Sequence, residues 1–194
     1  MSQRCMASWH KVMPEYTFRL HNETNTAFDT PLLEYLYQQK SWAFLSDYIR
    51  LRALYEGGGI YLDVDMEVIR SFDPLLKHKL FLGFESAGRL NSSVIGSRKE
   101  MPFLKYCMDY MDQRFAQGQS YKIAPEVMSE VYAVQPEDVT VLSETYFYPY
   151  NPYDKARNAK TLETAEITQD TFTIHHWEKQ WKLGIVERIR RRLS

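Results

Sequence analysis

The chain has 194 residues, 44% of them hydrophobic and 25% charged, the proportions of one well-filled globular domain. A net charge of -1 gives no electrostatic reason to expect a nucleic-acid partner. Two cysteines, Cys5 and Cys107, are too few and too far apart for a disulfide framework or a zinc site, and they suit a reducing compartment.

No run of about 18 apolar residues offers a membrane-crossing helix. The opening "MSQRCMASWHKVMPE" has no apolar signal-peptide core, so a cytoplasmic location is expected. In chain order, "EYTFRLHN" (15–22) reads as a strand, rich in β-formers and closed by polar residues. "TPLLEYLYQQ" (30–39) reads as a short helix, and "SWAFLSDYIRLRALYEGGG" (41–59) as a longer one whose glycines sit where a left-handed cap is wanted. At 100° per residue, Trp42, Leu45, Ile49 and Ala53 form one stripe of this helix and Phe44, Tyr48, Leu51 and Tyr55 nearly the opposite one. Such a helix is expected between layers. Asp47 and Arg50, three residues apart, can reach each other or a common ligand; a structural ion pair and a binding role are both open.

The next segment, "GIYLDVDMEV" (59–68), reads as a strand that carries two carboxylates. Its period of two sends Ile60, Leu62 and Val64 to one face and Tyr61, Asp63 and Asp65 to the other. Two carboxylates rooted about 7 Å apart repel each other unless something positive lies between them, and a hard divalent cation with oxygen ligands fits that need. A bare D-x-D is common by chance; its flanks make this one specific.

Downstream, "DPLL" (73–76) starts a turn, and "KLFLGFES" (79–86) and "SSVIGS" (92–97) read as strands. "KEMPFLKYCMDYMDQRF" (99–115) and "APEVMSEVYAVQ" (124–135) read as helices, the second after a proline start. "VTVL" and "TYFYPYNP" are short strand or loop pieces, and "TFTIHHWEKQW" (171–181) runs from a strand into a loop or helix start. Alternating helices and strands predict a single α/β domain over 1–181 with a mixed sheet, followed by a basic tail, 182–194. That tail carries Arg188, Arg190, Arg191 and Arg192, which read either as a solvated helix end or as a peripheral contact with anionic lipid at the inner face of a membrane. The 14 Tyr, 10 Phe and 4 Trp suit a pocket that stacks on rings and hydrogen-bonds hydroxyls, although core stability alone also accounts for them.

"SDYIRLRALYEGGGIYLDVDMEVIRSFDPLL" (46–76) resembles the DXD-containing sugar-transferase region of glycosyltransferase family 32, and its helix-Gly-strand pattern also looks like the core of the large glucosylating bacterial toxins. "CMASWHKVMPEYTFRLHNE" (5–23) is similar to the family's early segment, and "IHHWEKQW" (174–181) to its closing His-x-Trp element. The resemblance implies a GT-A-like fold, a UDP- or GDP-sugar donor, Mn²⁺ or Mg²⁺, a glycan or lipid-linked acceptor, and transfer with retention, in polysaccharide biosynthesis such as that of capsules. By position it implies that Asp47 and Arg50 hydrogen-bond the donor sugar and that Tyr61 packs near sugar or base. Asp63 would contact ribose or sugar and reach the ion through water, and Asp65 would ligate it. His175 or His176 would approach metal or diphosphate, and Trp177 and Trp181 would wall the pocket. Relatives open with an apolar strand of the "PKIIHYIWFG" kind that is expected to lie upstream of this sequence, which leaves a non-catalytic or truncated sugar-nucleotide-binding protein as the alternative reading. Relatives also carry Asn in an "N-x-I-I-G" strand, where "LNSSVIGS" has Asn91 one place early and Ser92 in the expected place, so both are candidate sugar contacts. Glu85, which follows a strand, is the candidate for a nucleophilic carboxylate by position alone.

Overall fold

The computed structural model of the chain describes residues 1–157 and 159–178. The basic tail and Trp181 lie outside the described residues. Helices α1 (Ser2–Val12), α2 (Pro31–Gln38) and α3 (Trp42–Gly57) precede strands β1 (Gly59–Leu62) and β2 (Met66–Val68). The long hairpin β3 (Leu80–Ser86) and β4 (Arg89–Ser97) leads to α4 (Pro102–Ala116) and α5 (Ala124–Val134). Then follow β5 (Val139–Leu142), the single turn α6 (Glu144–Phe147) and β6 (Thr173–His175).

Four strands form one sheet in the order β1-β4-β3-β5; β4 runs antiparallel to both neighbours and β5 parallel to β3. The expected mixed sheet flanked by helices is therefore present. A second ladder pairs β2 antiparallel with β6, placing Met66 opposite His175 and Val68 opposite Thr173. Side chains alternate across the main sheet, as strand geometry requires. Leu80, Leu82, Leu90 and Ile95 bury on the side covered by α2, α3, α4 and α5. Phe81 and Val94 bury on the other side, with Met66, Val68, Phe72, Phe147, Tyr148 and Phe172.

Three local readings are corrected by tertiary context. Residues 15–22 form no strand; Tyr16 and Phe18 lean on the second core as single anchors, because β-forming residues without a neighbouring strand have no ladder to complete. The region before them forms α1, which docks through Cys5, Trp9 and Val12 and was not anticipated. Both stripes predicted on α3 reach the core, Phe44, Tyr48 and Leu51 on one and Leu45 and Ile49 on the other, but Trp42 of the second is 50% exposed and meets Tyr37 edge-on at 5.7 Å.

The glycine cap falls where expected, but with ψ -167° it is the extended positive-φ conformation open to glycine and not the left-handed helical one. Gly58 ends α3 at φ 67°, and a Cβ there would approach the Lys99 backbone nitrogen to 3.0 Å. A residue with a side chain would meet both the positive-φ penalty and that contact. The chain reverses at this point and enters β1 beside β4.

Candidate functional site

The DXD segment is a strand only as far as Leu62. The Met66 N–H donates to the Asp63 carbonyl at 3.0 Å, so residues 63–66 form a turn between β1 and β2. Val64, expected beside Ile60 and Leu62 in the core, is instead 44% exposed at the turn's tip. The turn also separates the two aspartates, which do not share the face of one continuous strand. Asp63 stays with Tyr61, whose hydroxyl donates to its Oδ1 at 2.7 Å. Asp65 turns toward β6, where His175 Nε2 lies 3.3 Å from its Oδ2 and the Glu178 backbone N–H donates to the same oxygen at 2.9 Å.

Around Asp63 the predicted residues converge. Arg50 Nη2 contacts Asp47 Oδ1 at 3.0 Å, and Arg50 Nη1 approaches Asp63 Oδ1 at 3.3 Å. Nη1 also donates to the Ser92 carbonyl and hydroxyl at 3.0 and 3.1 Å, and the guanidinium lies over the Tyr61 ring at 4.5 Å. The other Asp47 oxygen, Oδ2, accepts from the Ala124 N–H at 2.8 Å, which fixes the start of α5 to the site. Burial pushes the Asp47 carboxyl up to about 6, against the pull of Arg50 and the Ala124 amide. Burial also raises the Tyr61 phenol well above its ordinary range, so it is a hydrogen-bond donor at neutral pH. Asn91 reaches elsewhere: its amide Nδ2 donates to Glu85 Oε2 while its Oδ1 accepts from the Ser93 N–H at 2.7 Å. Glu85, whose other oxygen meets Arg89 Nε at 2.6 Å, is thereby a buried, held carboxylate.

The two histidines part company. His175 points its Nε2 at Asp65, whereas His176 Nε2 sits 2.8 Å from Glu67 Oε2 on the other side of the β2–β6 ladder. The structure thus brings the imidazole of His175, and not that of His176, to the DXD turn, because adjacent residues of an extended segment face opposite ways. His176 meets the turn only through its backbone N–H, which donates to the Asp65 carbonyl at 3.1 Å. Burial favours protonation of Asp65, but the hydrogen bond and charge of His175 and the Glu178 amide outweigh it and hold the carboxyl below its ordinary value. Trp177, at φ 55°, stacks on His175 with centroids 4.0 Å apart and donates its indole N–H to the Tyr150 carbonyl at 3.0 Å.

Among the described residues, no three His, Cys, Asp or Glu side chains converge as a complete metal cage. The donor set present fits a different kind of ion site. Asp65 and His175 offer an oxygen and a nitrogen, and hard divalent cations commonly use one or two carboxylates, with substrate phosphates and water filling the remaining positions.

Comparison with known proteins matches residues 1–82 to the family described as "Glycosyltransferase sugar-binding region containing DXD motif". Residues 1–82 are thus similar to a DXD-type glycosyltransferase sugar-binding region. The match takes in α1, the Asp47–Arg50 helix and the DXD turn as one block. Over 188 residues the chain is 27% identical to glucan organizing enzyme 1 of Cryptococcus neoformans var. grubii, covering 88% of this chain and 48% of that protein. It is 26% identical over 173 residues to lactosylceramide 4-alpha-galactosyltransferase of Rattus norvegicus, covering 78% and 47%. The chain thus spans about half the length of these curated relatives. Among solved structures, PaToxG glycosyltransferase aligns with a TM-score of 0.46 at 22% identity, covering 53% of this chain and 39% of that one.

Sequence reasoning missed one residue of this site. Tyr148, in the segment read only as strand or loop, is fully buried with its ring centroid 5.8 Å from His175 and 6.2 Å from Trp177. The aromatic-proline run "YFYPY" around it was its only signal.

Proposed function

We propose that this chain transfers a sugar from a nucleotide-sugar donor to a glycan or lipid-linked acceptor, using a divalent cation and retaining the anomeric configuration. The observation that carries this reading is the meeting of the α3 ion pair with the DXD turn: Arg50 contacts both Asp47 and Asp63, and Asp65 two residues on is held by His175. The glycan and the lipid-linked acceptor are supported by the names of the two relatives above, one a glucan organizing enzyme and the other acting on lactosylceramide. Retention, the GT-A-like fold and a setting in polysaccharide or capsule synthesis rest on the resemblance of residues 46–76.

Asp65 and His175 would hold Mn²⁺ or Mg²⁺. When bound, such an ion supplies positive charge to the diphosphate leaving group, a Lewis-acid effect of several kcal/mol. The chain's own residues do the positioning. Asp47, Arg50, Ser92 and Tyr61 form one buried network that fixes Asp63, and fixed geometry at a reacting centre contributes a large part of a rate enhancement. Ser92 joins this network directly, whereas Asn91 donates to Glu85.

The test is Asp65→Ala in the full chain, with hydrolysis or transfer of UDP- and GDP-sugars measured in Mn²⁺ and after chelation. Loss of an effect of several kcal/mol predicts a fall on the order of 100-fold or more, and chelation of the wild type should produce a similar fall. Undiminished turnover in Asp65→Ala would reject the assigned role.

A further inference from the structure

Tyr148 carries an unmet hydrogen-bond donor in the middle of the site. Its side chain is fully buried, and its hydroxyl, with the Val94 amide on one side, has no acceptor for its O–H among the described residues. Such an orphan costs about 1–3 kcal/mol, a cost that phenylalanine at the same place would avoid.

The ring is not free to swing away and find a partner. Gly83 of β3 lies against it, where a Cβ would come within 3.3 Å of Tyr148 Cε2 and within 2.7 Å of the neighbouring Phe147 ring. Arg157 Nη1 and Nη2 donate to the Tyr148 and Pro149 carbonyls at 2.8 and 3.1 Å, clamping the backbone. His175 and Trp177 close another side of the ring. Position and rotation are therefore fixed, and the O–H is left without an acceptor.

The surroundings say what kind of group could meet it. Burial first, and then the nearby charges of Asp63 and Glu85, keep the phenol protonated against the pull of the Val94 amide and Arg50. Arg50 serves Asp47, Asp63 and Ser92, and Arg89 meets Glu85. Carboxylates accept hydrogen bonds from hydroxyls, and a phenol both donates to hydroxyls and accepts from them. That combination matches a polyol. Asp63, with 28% of its side chain exposed against 11% for Glu85 and 4% for Arg50, is the member best able to shift and admit one.

We propose that Tyr148 is a contact for the sugar of the donor: its phenol O–H, held among Asp63, Glu85 and the His175–Trp177 stack, hydrogen-bonds a hydroxyl of the transferred ring. The proposal rests on the glycosyltransferase reading above.

Tyr148→Phe in the full chain tests it, with thermal unfolding, calorimetric binding and turnover measured in Mn²⁺. The probes are UDP and GDP alone and a panel of UDP- and GDP-hexoses. Expected is a melting temperature equal to or above that of wild type, unchanged binding of the free nucleoside diphosphate, and a loss of about tenfold or more in nucleotide-sugar affinity or turnover, the equivalent of one hydrogen bond. A folded variant with wild-type nucleotide-sugar binding and turnover overturns the proposal. So does an equal loss for the free nucleotide, which would move Tyr148 away from the sugar, or a clearly lowered melting temperature, which would mean that the hydroxyl has a structural partner. If the wild type itself neither binds nor turns over any donor in the panel, the glycosyltransferase reading falls and this proposal falls with it, an outcome distinct from the others.

Discussion

Arg50 shows how much one side chain is asked to hold. Its guanidinium contacts Asp47, Asp63 and both oxygens of Ser92, and its Nε donates to the Ser46 carbonyl at 3.3 Å. Removing it as Arg50→Ala leaves Asp47 as a buried charge without its partner, so a loss of about 3–5 kcal/mol in urea unfolding is expected, together with loss of activity. Arg50→Lys should recover part of the stability but not the activity, since an ammonium cannot fork to three groups. Asp47 gives a pH test with a definite sign. Its folded value of about 6 lies above the ordinary 3.8, so between those values the folded chain binds more protons than the unfolded one. This group's contribution to stability is complete below the unfolded value and is lost as pH rises through the folded one. Relative to Asp47→Asn, wild type should therefore lose up to about 3 kcal/mol between roughly pH 4 and pH 6.5 and change little above. Denaturant titrations of both proteins across that range provide the check, and a flat difference would refute the assignment.

At the scale of elements, the site is made by a helix end, a glycine cap and a turn that act in series. Gly58→Ala places a side chain at φ 67° and against the Lys99 backbone, so a loss of about 1–3 kcal/mol is expected from denaturant midpoints, with the slope unchanged. The place of the cap, the reach between Asp47 and Arg50 and the helical span were all legible, because spacing on a helix and the conformational needs of glycine are local properties. The end of the strand at Leu62 was not. Ile60, Tyr61 and Leu62 alternate as the period predicts, but the turn at 63–66 is set by where β2 must go to meet β6, more than 100 residues later in the chain. Residues 15–22 make the same point in reverse: they have strand-forming composition and no strand beside them.

For the whole molecule, the second core decides whether Asp65 and His175 meet. Phe172 stacks on Phe72 at 6.0 Å and on Tyr146 at 5.8 Å, and its carbonyl accepts from the Ile69 N–H at 2.9 Å. Trp9 of α1 ties the same region down through a hydrogen bond of 2.7 Å to the Met66 carbonyl. Phe172→Ala should cost about 3–5 kcal/mol and reduce activity by loosening β6 against β2, which thermal unfolding and turnover can follow together. The sequence by itself determined the α/β character, the buried α3 helix, the placing of Asp47 and Arg50 within reach of each other, and the DXD residues as the centre of interest. All of these follow from periodicity, spacing and side-chain chemistry within a short stretch. Only the tertiary structure decided that Asp63 and Asp65 face different partners, that the imidazole of His175 rather than that of His176 reaches the turn, and that Tyr148 stands beside them. Those facts depend on which distant segments share a core, and burial of apolar surface is non-directional, so no local pattern encodes the choice of partner.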